Sequence, residues 1–321
     1  MSLLTALIYL VVGFVLLVWS ADRLVAGASA LARNFGVSAL VVGVTIVGFG
    51  TSAPEMVVSA LASLEGNPSL AVGNALGSNI ANIGLILGLT GLVYPMRVDR
   101  STCKRELPLL ATVTLVTAIL MVNGSLTRVD GMILAGGLAT FIVLMIVRGK
   151  RGSGVDAATQ ALMSEISAGM PTGRAVLWTV VGLIVLPISA KILVNGAVGM
   201  AMLLGVSEAV IGLTIVALGT SLPELAAAIA SAVRKEDDLC IGNILGSNLF
   251  NLLGVLGIAA LIHPMDIERI LIVRDLPVMA LTFVMLAVMG VFFGRVGRLG
   301  AGVLLTTYVG YQIAVFTEAL G

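Results

Sequence analysis

Residues 43–82 recur at 212–251, and this duplication restricts the fold more than any other feature of the chain. The first copy reads GVTIVGFGTSAPE from Gly43 to Glu55 and GNALGSNIAN from Gly73 to Asn82. The second reads GLTIVALGTSLPE from Gly212 to Glu224 and GNILGSNLFN from Gly242 to Asn251. Matched positions stand 169 residues apart: Thr51 and Thr220, Glu55 and Glu224, Asn74 and Asn243, Ser78 and Ser247, Asn82 and Asn251. Each copy sets one carboxylate in an apolar run, beside a proline, a glycine and two hydroxyls.

The solvent for these runs is lipid. The 321 residues are 59% hydrophobic and 11% charged, whereas a soluble domain has about 45–50% apolar and about 25% charged residues. No core of a chain this long hides that excess. A membrane helix needs about 20 mostly apolar residues. Such runs fall near 3–20, 37–64, 70–94, 107–123, 131–147, 175–199, 206–233, 239–262, 276–294 and 299–317. The reading is an all-α polytopic membrane protein with ten spans, in two sets of five. The first set occupies 1–148, a polar linker 149–174, and the second set 175–321. The first run has no Lys or Arg before it and no small-residue cleavage pattern after it, so it reads as a retained helix, not a leader.

Five is odd, so the second set must lie upside down relative to the first. Inverted repeats place a substrate site near the bilayer midplane where they meet. The match extends beyond the motifs. Arg105-Glu-Leu-Pro108 recurs as Arg274-Asp-Leu-Pro277, and Asp22 corresponds to Lys191. With both termini outside, the outer loops hold only Arg128, Arg269 and Arg274. Lys191 lies in or near a span, and the remaining 14 of the 18 Lys and Arg fall in inner loops. The positive-inside rule selects this orientation, and a plasma-membrane location follows.

Glu55 and Glu224 are the acids that stand well inside apolar runs. A charge at the bilayer centre costs at least about 2.5–3.5 kcal/mol, and equivalent placement in both repeats implies a use that offsets it. A lone Ser, Thr or Asn in a helix eases packing and needs no other explanation. Here they recur as a set: Thr51 and Ser52 precede Glu55, and Thr220 and Ser221 precede Glu224. Ser78 and Asn82, four apart, share a helix face, as do Ser247 and Asn251. Pro54 and Pro223 remove a helical hydrogen bond and bend the helix. Carbonyls freed there, for example those of Gly48 and Ala217, join the oxygen donors. Oxygen donors without His or Cys suit Ca²⁺, Na⁺, Mg²⁺ or Mn²⁺. Two carboxylates give −2, the charge of one Ca²⁺ or two monovalent cations. Protons compete for the same oxygens, so acidification should inhibit.

Other chemistries have little to work with. Gly48-Phe-Gly50-Thr-Ser-Ala53 fits a GxGxxA dinucleotide pattern but lies in a membrane-length run, and the second copy breaks it. His263, the only histidine, precedes Pro264 in a loop, which leaves nucleophilic catalysis without a base. Cys103 and Cys240 have no metal or redox spacing. Net charge is +1, which gives no footing for nucleic acid. No cofactor and no obligate protein partner are indicated beyond the lipid bilayer.

Duplicated GTSxPE followed by GNxxGSNxxN resembles the cation/Ca²⁺ exchanger superfamily, and most of all its prokaryotic Na⁺/Ca²⁺ branch. The resemblance spans essentially the whole chain. It implies ten helices in an inverted repeat and antiport by alternating access, with the first and sixth helices sliding as a gate. It implies Glu55 and Glu224 as shared Ca²⁺ and Na⁺ ligands. Thr51, Ser52, Thr220, Ser221, Ser78 and Ser247, with the carbonyls of Gly48 and Ala217, would complete the sites. Asn82 and Asn251 would lie at the centre. Some relatives, including K⁺-dependent ones, carry Asp where this chain has Asn251, so the pair of Asn resembles the K⁺-independent kind. Proton-coupled relatives share the fold, and a Ca²⁺/H⁺ exchanger stands as the alternative.

Overall fold

In the computed structural model, residues 2–66, 68–151, 170–204 and 217–320 are described. Part of the second motif copy (212–216) and most of the linker (152–169) lie outside them. The described chain is helical apart from four two-residue strands.

Helix α1 runs over Leu3–Phe35, well past the apolar stretch that announced it. Ser2 caps it by accepting from the Thr5 amide, and Gly36 closes it at φ 63°, a conformation that suits glycine. Helices α2 (Ala39–Thr51) and α3 (Ala53–Leu64) follow one another across a bend of 43°. Pro54 sits in the first turn of α3, and having no N–H it cannot extend the ladder backwards. Then come α4 (Leu70–Val93), α5 (Arg100–Met121) and α6 (Arg128–Arg151). The second half gives α7 (Thr172–Leu203), α8 (Leu222–Val233), α9 (Asp237–Ile262), α10 (Leu271–Phe293) and α11 (Arg298–Leu320).

The backbone repeats with the sequence. Ser52 (φ −84°, ψ 1°) and Ser221 (φ −87°, ψ 2°) share one bend. Glu65 and Arg234 end α3 and α8 with the same angles, φ −80° and ψ −1°. The next residues, Gly66 and Lys235, both have positive φ. Asn82 and Asn251 each fall in a π-helical stretch, Ala81–Leu87 and Phe250–Val255.

Among the described residues, seven helices are long and apolar enough to cross a membrane, or eight if α2 and α3 count as one span. Two of the ten expected spans are missing from that count for identifiable reasons. The seventh begins in residues outside the description. The fourth, α5, carries Arg100, Lys104, Arg105 and Glu106 in its first two turns, because the helix starts ahead of the apolar run. This corrects the expectation that only two acids are buried in the spans. Glu106 and its counterpart Asp275 are also buried, at 6% and 2% exposure. Arg274 is likewise inside α10, not in an outer loop, and pairs with Asp275 at 2.7 Å.

Helices α4 and α9 are the centre. Over their most apolar stretches they are 72% and 89% buried, whereas the other long spans are 17–33% buried. Side chains such as Leu4, Phe14, Val122 and Phe292 face outward, as lipid requires. Strand β1 (Met96–Arg97) pairs with β4 (Arg295–Val296), and β2 (Ser125–Leu126) pairs with β3 (Met265–Asp266), both antiparallel. Helix α5, about 33 Å long at 1.5 Å per residue, joins β1 to β2. Helices α1 and α7 pack antiparallel through glycines. A Cβ at Gly13 would meet the Leu193 backbone, and one at Gly182 would meet Leu24, the equivalent contact. Small residues let membrane helices approach this closely.

Candidate cation site

The bend between α2 and α3 lies directly against α9. Gly43 packs on the Leu239 carbonyl, Gly242 on the Leu40 carbonyl and Gly246 on the Val44 carbonyl, with no room for a Cβ. This approach brings first-repeat hydroxyls onto second-repeat polar groups. Thr51 Oγ1 donates to Asn243 Oδ1 at 3.1 Å and lies 3.3 Å from Ser247 Oγ. Ser52 Oγ donates to Glu224 Oε1 at 3.2 Å. Glu224 stands in the first turn of α8 and Glu55 in that of α3, where helix dipoles favour negative charge.

The two carboxylates are held differently. Glu55 is 1% exposed, and neither of its oxygens accepts a hydrogen bond from the described residues; Glu224, also 1% exposed, has only Oε1 engaged. Asn74 Nδ2 donates to the Glu55 backbone carbonyl at 3.2 Å and to Ser59 Oγ at 2.9 Å, which fixes the first turn of α3. Buried polar groups are nearly always satisfied. A buried carboxylate with open oxygens is therefore set to receive something else.

Thr51, Ser52, Ser78, Ser221, Ser247, Asn82 and Asn251 are all buried. Thr220 is half-buried, and Ala217 opens a three-residue helical turn, Ala217–Gly219. Both Asn82 side-chain atoms and Asn251 Oδ1 lack a partner among the described residues. The Gly48 carbonyl is not freed as the proline argument expects. It accepts from the Ser52 amide at 3.1 Å, and Thr51 Oγ1 lies 3.4 Å away. Pro54 instead deprives the Gly50 carbonyl, four residues back, of its helical donor. In the second copy the Ser221 amide donates to Leu218, not to Ala217.

Four asparagines join the site that sequence reasoning did not count as ligands. Asn243 and Asn74 both hold the first-repeat bend, at Thr51 and at the Glu55 carbonyl; Asn79 accepts from Asn251, and Asn248 donates to the Ile244 carbonyl. Their signal was present, since each pair recurs at the repeat distance.

The chain matches the sodium/calcium exchanger protein family over residues 5–147 and 174–317. It is 45% identical to a putative antiporter, CaxA, of Alkalimonas amylolytica, over 98% of this chain and 100% of that one. It is 44% identical to the inner membrane protein YrbG of Escherichia coli strain K12, over 95% of this chain and 94% of that one. Its fold is similar to a structure of the sodium–calcium exchanger NCX_Mj soaked with 10 mM Na⁺ and 10 mM Sr²⁺. The TM-score is 0.82 at 31% identity, covering 96% of this chain and 97% of that one.

Proposed function

The chain belongs to the sodium/calcium exchanger protein family, a family of multi-pass membrane transporters and not of enzymes, and on that premise we propose that it exchanges Ca²⁺ for Na⁺ as a secondary antiporter. One observation carries the reading. Three of the four buried carboxylate oxygens of Glu55 and Glu224 have no hydrogen-bond partner among the described residues, amid hydroxyl and amide oxygens drawn from both repeats. Such oxygens bind hard cations, and −2 in total matches one Ca²⁺ or two Na⁺.

In this reading Glu55 and Glu224 ligate both ions in turn. Thr51, Ser52, Ser247, Ser78, Thr220 and Ser221, with the Ala217 carbonyl and the second lone pair of the Gly48 carbonyl, complete overlapping Ca²⁺ and Na⁺ sites around Asn82 and Asn251. The architecture is ten helices in two inverted five-helix repeats, 1–148 and 175–321, joined by a cytoplasmic linker, with the site near the midplane. The strand pairing supports inversion. Strands β1 and β3 are repeat equivalents, yet β1 pairs with β4 and β2 with β3, and α5 spans the distance between the two sheets. Both termini face outward. Arg33, Arg234 and Lys235, together with Arg97 and Arg295, then gather at the cytoplasmic end, where Arg33 pairs with Glu236 and the Arg97 amide with Asp237. Alternating access moves α1 and α7 as one antiparallel pair across the site.

The test uses sealed vesicles. Ca²⁺ uptake is measured under an imposed Na⁺ gradient at clamped pH, and separately under a pH gradient without Na⁺. The proposal expects uptake in the first case. Uptake that follows only the proton gradient replaces it with Ca²⁺/H⁺ exchange.

A further inference from the structure

Asn79 and Asn248 are repeat equivalents, buried at 2% and 1% exposure, and the ion-binding account above leaves them unused. Asn251 Nδ2 donates to Asn79 Oδ1 at 3.2 Å. Asn79 Nδ2 in turn approaches Met279 Sδ on α10 at 3.5 Å. A thioether accepts hydrogen bonds and donates none. Met279 therefore selects the amino end of Asn79, Asn79 offers its oxygen to Asn251, and Asn251 must answer with its own amino end. A planar carboxamide held by its nitrogen turns its oxygen the other way. That oxygen, Asn251 Oδ1, is buried and unpartnered among the described residues.

The other repeat lacks the anchor. The position equivalent to Met279 is Leu110, which neither accepts nor donates. There Asn248 Nδ2 turns back to the Ile244 carbonyl at 2.8 Å, and the Asn82 carboxamide is held by neither end. At this point the repeats differ: Asn79 has a sulfur acceptor and bonds Asn251, whereas Asn248 faces a leucine position and bonds its own helix.

We propose that Asn79 is a positioning residue for cation coordination, which through the Met279–Asn79–Asn251 series holds the Asn251 oxygen toward the bound cation. The inference rests on the reading above in which Asn251 faces the cations. It assigns Asn79 no contact with the ion.

The experiment measures Na⁺-driven Ca²⁺ uptake into proteoliposomes as a function of each cation, for Asn79→Leu, Asn251→Leu, the double variant and Met279→Leu. Removing the orienting bond should raise the half-saturating cation concentration in Asn79→Leu on the order of 5-fold, with maximal rate little changed. The double variant should be no worse than Asn251→Leu alone, because a residue acting through another is not additive with it. Met279→Leu keeps the volume and should shift half-saturation in the same direction by less, which keeps the test open if Asn79→Leu misfolds. Additive effects, or a normal Asn79→Leu beside an impaired Asn251→Leu, overturn the positioning role. A normal Asn251→Leu overturns the ligand reading itself, and the inference with it.

Discussion

Ser52 of the first repeat donates its hydroxyl to Glu224 of the second at 3.2 Å. The converse bond, from Ser221 to Glu55, is not made, since neither Glu55 oxygen has a partner among the described residues. The two halves share a sequence motif and a backbone bend, yet their carboxylates are in different states of engagement.

Removing that hydroxyl should weaken cation binding without unfolding the protein. A hydrogen bond to a charged group is worth about 1.5–3 kcal/mol, so Ser52→Ala should raise half-saturating Ca²⁺ at least roughly 10-fold. Ser221→Ala should have a smaller effect. Ca²⁺ titrations of transport in reconstituted vesicles compare the two, and equal effects would contradict the asymmetry.

Protonation of either Glu removes charge and a lone pair from the set that binds cation. Proton and Ca²⁺ therefore compete. Uptake should fall as pH is lowered toward about 5, below which carboxylates ordinarily protonate. Raising Ca²⁺ should move the midpoint of inhibition to lower pH. A midpoint indifferent to Ca²⁺ would place the titrating group elsewhere.

The packing of α2 on α9 leaves no room for a methyl group at Gly246, where it would run into the Val44 carbonyl. Overpacking of this kind costs about 1–3 kcal/mol. Gly246→Ala should lower the thermal midpoint in detergent and also impair transport, because Thr51 and Ser247 meet across the same contact. A variant of full stability would show that the helices separate freely.

Asp22 on α1 accepts from Arg234 Nε at 2.8 Å and from Nη2 at 2.6 Å. The repeat-equivalent positions hold Lys191 and Glu65, the opposite charges in sequence. Both Asp22 and Arg234 are more than a third exposed, so the pair is worth at most about 1 kcal/mol and is screened by salt. Asp22→Arg should change the exchange rate, and the swap Asp22→Arg with Arg234→Asp should restore it. A swap no better than the single variant would remove the pair from the transport cycle.

Much of this was legible in the sequence because the chain says it twice. The repeat, the two Glu and the hydroxyls before each proline are visible in one dimension. Hydropathy located the seven or eight helices that are long and apolar enough to cross a membrane among the described residues, although it missed where the helices begin. Glu106 and Asp275 stand just ahead of apolar runs and so read as loop acids, while the helices start before them and bury them. The π-helical stretches at Asn82 and Asn251 follow from no local signal. The role of Asn79 depends on Met279, 200 residues away, a contact set by tertiary packing that pattern reasoning does not reach. The Gly48 carbonyl is a different case: its bond to the Ser52 amide is local, four residues apart, and the proline rule applied strictly frees Gly50 instead.

The central claim is that one cation site is built from a carboxylate of each repeat. Calorimetric titration of the purified protein with Ca²⁺ at neutral pH, for the unaltered chain and for Glu55→Gln and Glu224→Gln separately, tests it most directly. The account predicts saturable Ca²⁺ binding that is suppressed by Na⁺, and its loss in each variant while both remain folded. Unaltered Ca²⁺ affinity in either variant would contradict it.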